Sequence, residues 1–125
     1  MTHGSDILPA MTAVADAIRA NTYRFANEDE LQRGIDLALG NADIQREREV
    51  RLAPGDRIDF MCGLVGIEVK VDGSISALSR QLLRYAMSGR VGGLVVVTSR
   101  MRQAVQLPAR LNDKPLSVIT VGGFA

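Results

Sequence analysis

Between Gly66 and Thr98 the apolar pattern changes period twice, and this change constrains the fold more than any other feature of the chain. Gly66-Ile67-Glu68-Val69-Lys70-Val71 alternates, with Ile67, Val69 and Val71 on one face and Glu68 and Lys70 on the other, which predicts a strand. Asp72-Gly73 closes it. Ser76 then offers a cap for a helix to about Met87, striped by Leu78, Leu82, Tyr85 and Ala86 and stopped by Gly89. Leu94 to Thr98 is apolar throughout, as expected of a strand covered on both faces. Strand, crossover helix and strand imply a parallel pair, and hence an α/β domain with a central mixed sheet flanked by helices.

The remaining segments fit around that unit. Ile7, Met11, Val14, Ala15 and Ile18 recur at helical spacing up to Ala20, with Asp6 in place to cap the start. A second helix is expected from Glu28 to Leu39, because Asn27 and Glu30 form a capping box, acids fill the first turn and Gly40 follows the last apolar residue. Ile44 to Leu52 and Arg57 to Cys62 are expected strands joined by a Pro54-Gly55-Asp56 turn, with Gly63 and Gly66 bracketing the next turn. A polar, arginine-bearing stretch runs from Ser99 to Asn112, and Leu116 to Val121 supplies a last strand. No repeat, low-complexity tract or long linker divides the chain. Residues 1–125 therefore form one expected domain, with a helical extension over 1–26, a core over 27–98 and a C-terminal strand region over 99–125.

Composition narrows the chemistry. The 46% hydrophobic content supports a buried core, while apolar runs such as Gly92 to Val97 are far shorter than the roughly 20 residues of a membrane span. The opening Met1-Thr2-His3-Gly4-Ser5-Asp6 has neither the basic nor the apolar part of a secretion signal, so a cytoplasmic protein is expected, without a membrane partner. One cysteine, Cys62, and one histidine, His3, make a disulfide or a soft-metal site unexpected, leaving oxygen-bound hard cations. Residues 1–44 carry 3 basic and 7 acidic side chains, net −4, whereas residues 45–125 carry 12 and 7, net +5. Most of the basic residues are arginines, suited to bidentate phosphate contacts and thus to a polyanionic partner, although a solvated basic surface has the same composition.

Asp59 lies on the strand before the Glu68-Val69-Lys70 strand, and the short turn between them makes a hairpin. Two carboxylates and an ammonium can then converge. Asp59 and Glu68 suit magnesium, which keeps several waters, one of which could attack a phosphodiester. Lys70 could orient that water, help to deprotonate it or stabilise charge on the phosphate. A Glu-x-Lys alone is expected by chance about 0.4 times in a chain of this length. Its place on an apolar strand, with an aspartate at the matching point of the neighbouring strand, carries more weight, because outward charges there are costly unless solvated, paired or functional. A surface ion pair is the structural alternative.

Arg57-Ile58-Asp59-Phe60, then Ile67-Glu68-Val69-Lys70, then Gln81-Leu82-Leu83-Arg84-Tyr85 resembles the PD-(D/E)xK nuclease superfamily, most closely its RecB-like branch. The resemblance covers roughly residues 27–98; Ile58 stands where the family name has proline, a position often changed. It implies a restriction-endonuclease-like core and a magnesium- or manganese-dependent deoxyribonuclease, with Asp59 and Glu68 as metal ligands and Lys70 as base or transition-state stabiliser. The superfamily often adds an acid from the preceding helix. Among the candidates Glu28 lies within about 60° of the Leu31, Ile35 and Leu39 stripe, whereas Glu30 is occupied by the capping box, so Glu28 is the expected extra catalytic carboxylate and metal ligand.

In the RecB-like nucleases the glutamine approaches the active site and the tyrosine supports it or touches DNA, roles that the resemblance carries to Gln81 and Tyr85; a plain core residue is the alternative for Tyr85. Arg80 and Arg84 share a helix face, and Arg100 and Arg102 follow the fourth strand; as a group these are the expected phosphate contacts, together with Tyr85. No Gly-x-x-x-x-Gly-Lys-Ser/Thr loop, helix-turn-helix or zinc finger is present, so selection of DNA by structure, ends or partner proteins is expected over selection by base sequence. The size resembles archaeal Holliday-junction resolvases and phage or mobile-element repair nucleases. Resolvases need two active sites, which implies a homodimer and a role in recombination and repair. A nuclease-fold module that binds nucleic acid or a protein without cutting is the alternative.

Overall fold

The computed structural model of the chain describes residues 3–122. Its elements run α1 (His3–Arg19), α2 (Glu28–Asn41), β1 (Glu47–Ala53), β2 (Asp56–Cys62), β3 (Val65–Lys70), α3 (Ile75–Ala86), β4 (Gly93–Thr98), α4 (Met101–Gln106), β5 (Arg110–Leu111) and β6 (Lys114–Thr120). The strands form a six-stranded mixed sheet in the order β1-β2-β3-β4-β6-β5. β1, β2 and β3 form an antiparallel meander, β3–β4 and β4–β6 are parallel, and β5–β6 is a short antiparallel hairpin. The chain is thus an α/β protein with the expected parallel pair around the α3 crossover.

Strand alternation divides the core into two layers. Val65, Ile67 and Val69 of β3 and Val95 and Val97 of β4 face α1 and α2, where Met11, Ile18, Leu31, Ile35 and Leu39 are buried. Leu94 and Val96 face Leu78, Leu82 and Tyr85 of α3. Every residue of β4 is buried, which explains its unbroken apolar run. No helix among the described residues is long and apolar enough to cross a membrane.

Local chemistry sets most boundaries, with some corrections. Asn27 Oδ1 accepts the Glu30 amide at 2.9 Å and caps α2, while Glu30 Oε1 reaches back to the Ala26 amide at 2.6 Å. Asp6 lies inside α1 and not at its start. Gly40 does not end α2, which continues to Asn41 and leaves Gly40 beneath the Arg46 guanidinium. Ser74, not Ser76, caps α3, its Oγ accepting the Ala77 amide at 3.1 Å. Gly66, expected to open the third strand, lies in β3, which begins one residue earlier at Val65; a Cβ at Gly66 would come within 2.6 Å of Ile58 Cδ1, so glycine is needed for packing. The stretch after β4 contains the helical turn α4 and the strand β5, neither of which was expected from its polar composition.

Candidate active site

β2 and β3 are zipped near their turn, Phe60 with Ile67, Met61 with Gly66 and Cys62 with Val65. The next position in that register joins Asp59 to Glu68, and there the backbone ladder stops. Carboxylates replace the missing strand. Asp59 Oδ2 accepts the Val69 amide at 2.8 Å, Glu28 Oε2 accepts the Val71 amide at 3.1 Å, and Glu68 Oε1 accepts the Asp59 amide at 3.4 Å. The Val69 and Val71 amides that β2 leaves behind are thereby satisfied by side chains from β2 and α2, and the Asp59 amide by Glu68 of β3.

Each acid reaches this opening for a local reason. The period of β3 turns Glu68 and Lys70 to the α3 side; Glu68 is only 4% exposed and Lys70 is half-buried. The Asn27 cap begins α2 at Glu28, so this side chain projects from the first turn toward the end of β3. Beneath Glu68 lies Tyr85, fully buried, whose hydroxyl donates to the Arg57 carbonyl at 2.9 Å and ties α3 to β2 just before Asp59.

Burial is the main electrostatic fact here. It pushes the Glu68 carboxyl up to about 9, the Asp59 charge pushing the same way, while the Lys70 ammonium and the Asp59 amide oppose it and Glu28 adds a further rise. Asp59 is also raised, first by burial and then by Glu28, against the Val69 amide, the Lys70 charge and its contact with Glu68. The two acids therefore hold a proton more tightly than free carboxylates. Tyr85 is raised as well, by burial and then by the Glu68 and Asp59 charges. Among the ion pairs of the described residues none includes Lys70, so its ammonium acts on both acids without being bound to either. An ion-pair network is therefore a poor account of the cluster.

Lys70, Gln81 and Arg84 line one shallow hollow of about 230 Å³ with Ser74 and Leu78. Arg84 is held there by Asp56, Nε to Oδ1 2.8 Å, and Arg80 is exposed one turn earlier. Arg100 and Arg102 are exposed just past β4, whose last residue, Thr98, pairs with Lys70; they stand at the same end of the sheet as the acids. Tyr85 takes the supporting one of its two expected roles and not the DNA-contacting one. Its complete burial removes it as a DNA contact and makes it a support for β2. Asp56, which fixes Arg84, and Ser74, in the hollow, were missed; the turn composition around Asp56 and the Asp72-Gly73-Ser74 sequence were the available signals. A larger cavity of about 450 Å³, lined by residues including Ile7, Leu64, Arg110 and Lys114, contains none of the expected site residues.

Magnesium is satisfied by one or two carboxylates, waters and substrate phosphate, and Asp59 with Glu68 fits that donor set. A three-ligand cage is not formed: among the described residues no group of three or more His, Cys, Asp or Glu is placed to hold a metal ion. Glu28 contributes charge and an amide contact, and is not assembled with the other two into such a group. No protein-family model, no curated protein and no solved structure matches the chain.

Proposed function

We propose that this chain is a metal-dependent deoxyribonuclease of the PD-(D/E)xK type, with a restriction-endonuclease-like core, that hydrolyses phosphodiester bonds in structured DNA such as junctions, flaps or ends. One observation carries the reading. At the point where β2 leaves β3, the buried Glu68 and the half-buried Asp59, both with raised proton affinity, face each other beside an unpaired lysine. Such an arrangement destabilises a protein unless a cation or a reacting group uses it.

In this reading Asp59 and Glu68 hold a magnesium or manganese ion. When bound, the ion lowers the pKa of a water and offsets charge on the phosphate. The Val69 amide fixes one Asp59 oxygen, which leaves the other for ligation, and burial keeps Glu68 from rotating into solvent. Lys70, drawn toward the acids but not bound to them, stabilises charge on the phosphate or orients the attacking water. Glu28 reinforces the negative field, Gln81 offers an amide to substrate in the hollow, and Arg80, Arg84, Arg100 and Arg102 engage the flanking phosphates. The order helix, three strands, helix, strand from Glu28 to Thr98 agrees with the core of that superfamily. A homodimer and a role in recombination or repair follow if the substrate is a four-way junction.

The test is cleavage of end-labelled four-way junction, linear duplex, flap and single-stranded DNA with magnesium, manganese or chelator. Wild type should cut in metal only, and Asp59→Ala and Lys70→Ala should each lose on the order of 10³-fold or more. A second reading, a module that binds nucleic acid or a protein without cutting, is favoured by the lack of a three-ligand group among the described residues. Salt-sensitive DNA binding with no cleavage of any substrate would select it.

A further inference from the structure

Of the four non-glycine residues with positive φ among the described residues, Asp43, Asn112 and Asp113 lie between elements, and Glu49 alone lies inside a strand, at φ 54°. A β-strand has no need of a left-handed residue, and for a glutamate that conformation is strained. Its position is informative. β1 and β2 pair through Val50–Ile58 and Arg51–Arg57 on one side, and through Arg48–Phe60 and Glu47–Met61 on the other. The unpaired position between them is Glu49 opposite Asp59.

The core shows what happens there. Ile58 packs on the α3 side of the sheet and Phe60 on the α1–α2 side, although residues two apart on a regular strand share a face. From Phe60 onward the alternation is regular again, Met61 on the α3 side and Cys62 on the other. β1 makes the same reversal: Val50 packs with Ile58, whereas the Arg48 guanidinium lies 5.4 Å from the centre of the Phe60 ring. Both strands therefore turn over together at Glu49 and Asp59 while keeping their register. Asp59 is freed from alternation at the turnover, and its carboxylate reaches sideways to the Val69 amide. Gly66 accommodates the result, since its missing side chain leaves the space that Ile58 Cδ1 fills.

We propose that Glu49 is a positioning residue that acts through its backbone: its left-handed conformation makes the turnover in β1 that allows β2 to turn at Asp59 and present that carboxylate to β3 and the cleft. The Glu49 side chain, half exposed and 3.3 Å from Arg57, is not needed for this role. The assignment rests on the nuclease reading only for its effect on cleavage; the placement of Asp59 is measurable without it.

Hydrogen exchange at the Val69 amide, followed by NMR in metal-free protein, reports whether Asp59 is in place, with Asp59→Ala as the benchmark for its loss. Glu49→Gly and Glu49→Asn, which adopt positive φ, should keep Val69 protected and keep cleavage at the wild-type rate, although both remove the carboxylate. Glu49→Val should expose the Val69 amide and lower cleavage on the order of 10²-fold, the penalty of a misplaced catalytic group. A folded Glu49→Val that retains Val69 protection would overturn the proposal. So would a folded Glu49→Gly that loses protection as completely as Asp59→Ala, and this arm decides the matter should the valine variant not fold. If wild type cuts nothing, the nuclease reading fails while the exchange data still judge the role of Glu49.

Discussion

The two halves of the β2–β3 pair are separated by a single residue step and obey different rules. In the zipped half, Phe60 to Cys62 against Val65 to Ile67, backbone groups bond each other and the side chains are buried and apolar. In the open half, amides are held by carboxylates, and acids sit where the sheet elsewhere buries valine and isoleucine. The zipped half supplies stability, and the open half consumes it to keep charged groups in a fixed place. Substitutions should therefore act with opposite sign on the two sides of the step.

The largest stability effect belongs to the zipped half. Phe60 is fully buried beneath α1 and α2, and Phe60→Ala should cost about 3–5 kcal/mol by losing transfer energy and opening a cavity. Chemical denaturation checks this through a lowered midpoint at unchanged slope. Gly66→Ala comes next, at about 1–3 kcal/mol, because the new methyl meets Ile58 Cδ1 at 2.6 Å and must displace it. Pairing it with Ile58→Val should recover part of the loss, and an additive double variant would show that the contact is not the cause.

In the open half the sign reverses. Glu68→Gln puts a neutral amide where burial and Asp59 force the carboxyl to take up a proton on folding, so the metal-free protein should gain about 1–2 kcal/mol at pH 8 while cleavage is lost. The pH dependence follows from the same shift. Glu68 has a folded pKa of about 9 against 4.5 for the free side chain, so the folded state binds the proton more tightly. Its favourable contribution is complete below pH 4.5 and is lost as the pH rises toward 9. In chelator, wild type should thus lose more thermal stability between pH 5 and 9 than Glu68→Gln. Magnesium should restore that loss in wild type only. Parallel pH curves for the two proteins would mean that the open half carries no such cost.

The zipped half was legible in the sequence and the step was not. The alternation of Ile67, Val69 and Val71, the Asn27 cap with Glu30, and the apolar run of β4 are local patterns that survive into the structure because each agrees with its surroundings. They suffice to place Asp59 opposite Glu68, with Lys70 alongside and Glu28 at the head of α2. The reversal between Ile58 and Phe60 left no such trace, since it depends on β1, on Gly66 and on which layer each side chain joins. Tyr85 was legible in part: its place in the stripe with Leu78, Leu82 and Ala86 agrees with its burial, whereas the phosphate contact drawn from the resemblance does not. α4 was hidden because a helix this short needs little amphipathic pattern and has no side-chain cap.

Arg84 sharpens the comparison at its smallest scale, because it lies beside the open half and bonds to the hairpin turn at Asp56. Its side chain is about half exposed, so the ion pair is well solvated, and Arg84→Ala should change stability by less than about 1 kcal/mol. If Arg84 is poised for substrate, the same variant should weaken DNA binding and lower the slope of log affinity against log salt by about 1, the loss of one phosphate contact. Fluorescence anisotropy at several salt concentrations separates the outcomes. An unchanged slope with unchanged stability would make Arg84 a surface residue, and would confine the function of the open half to the acids and Lys70.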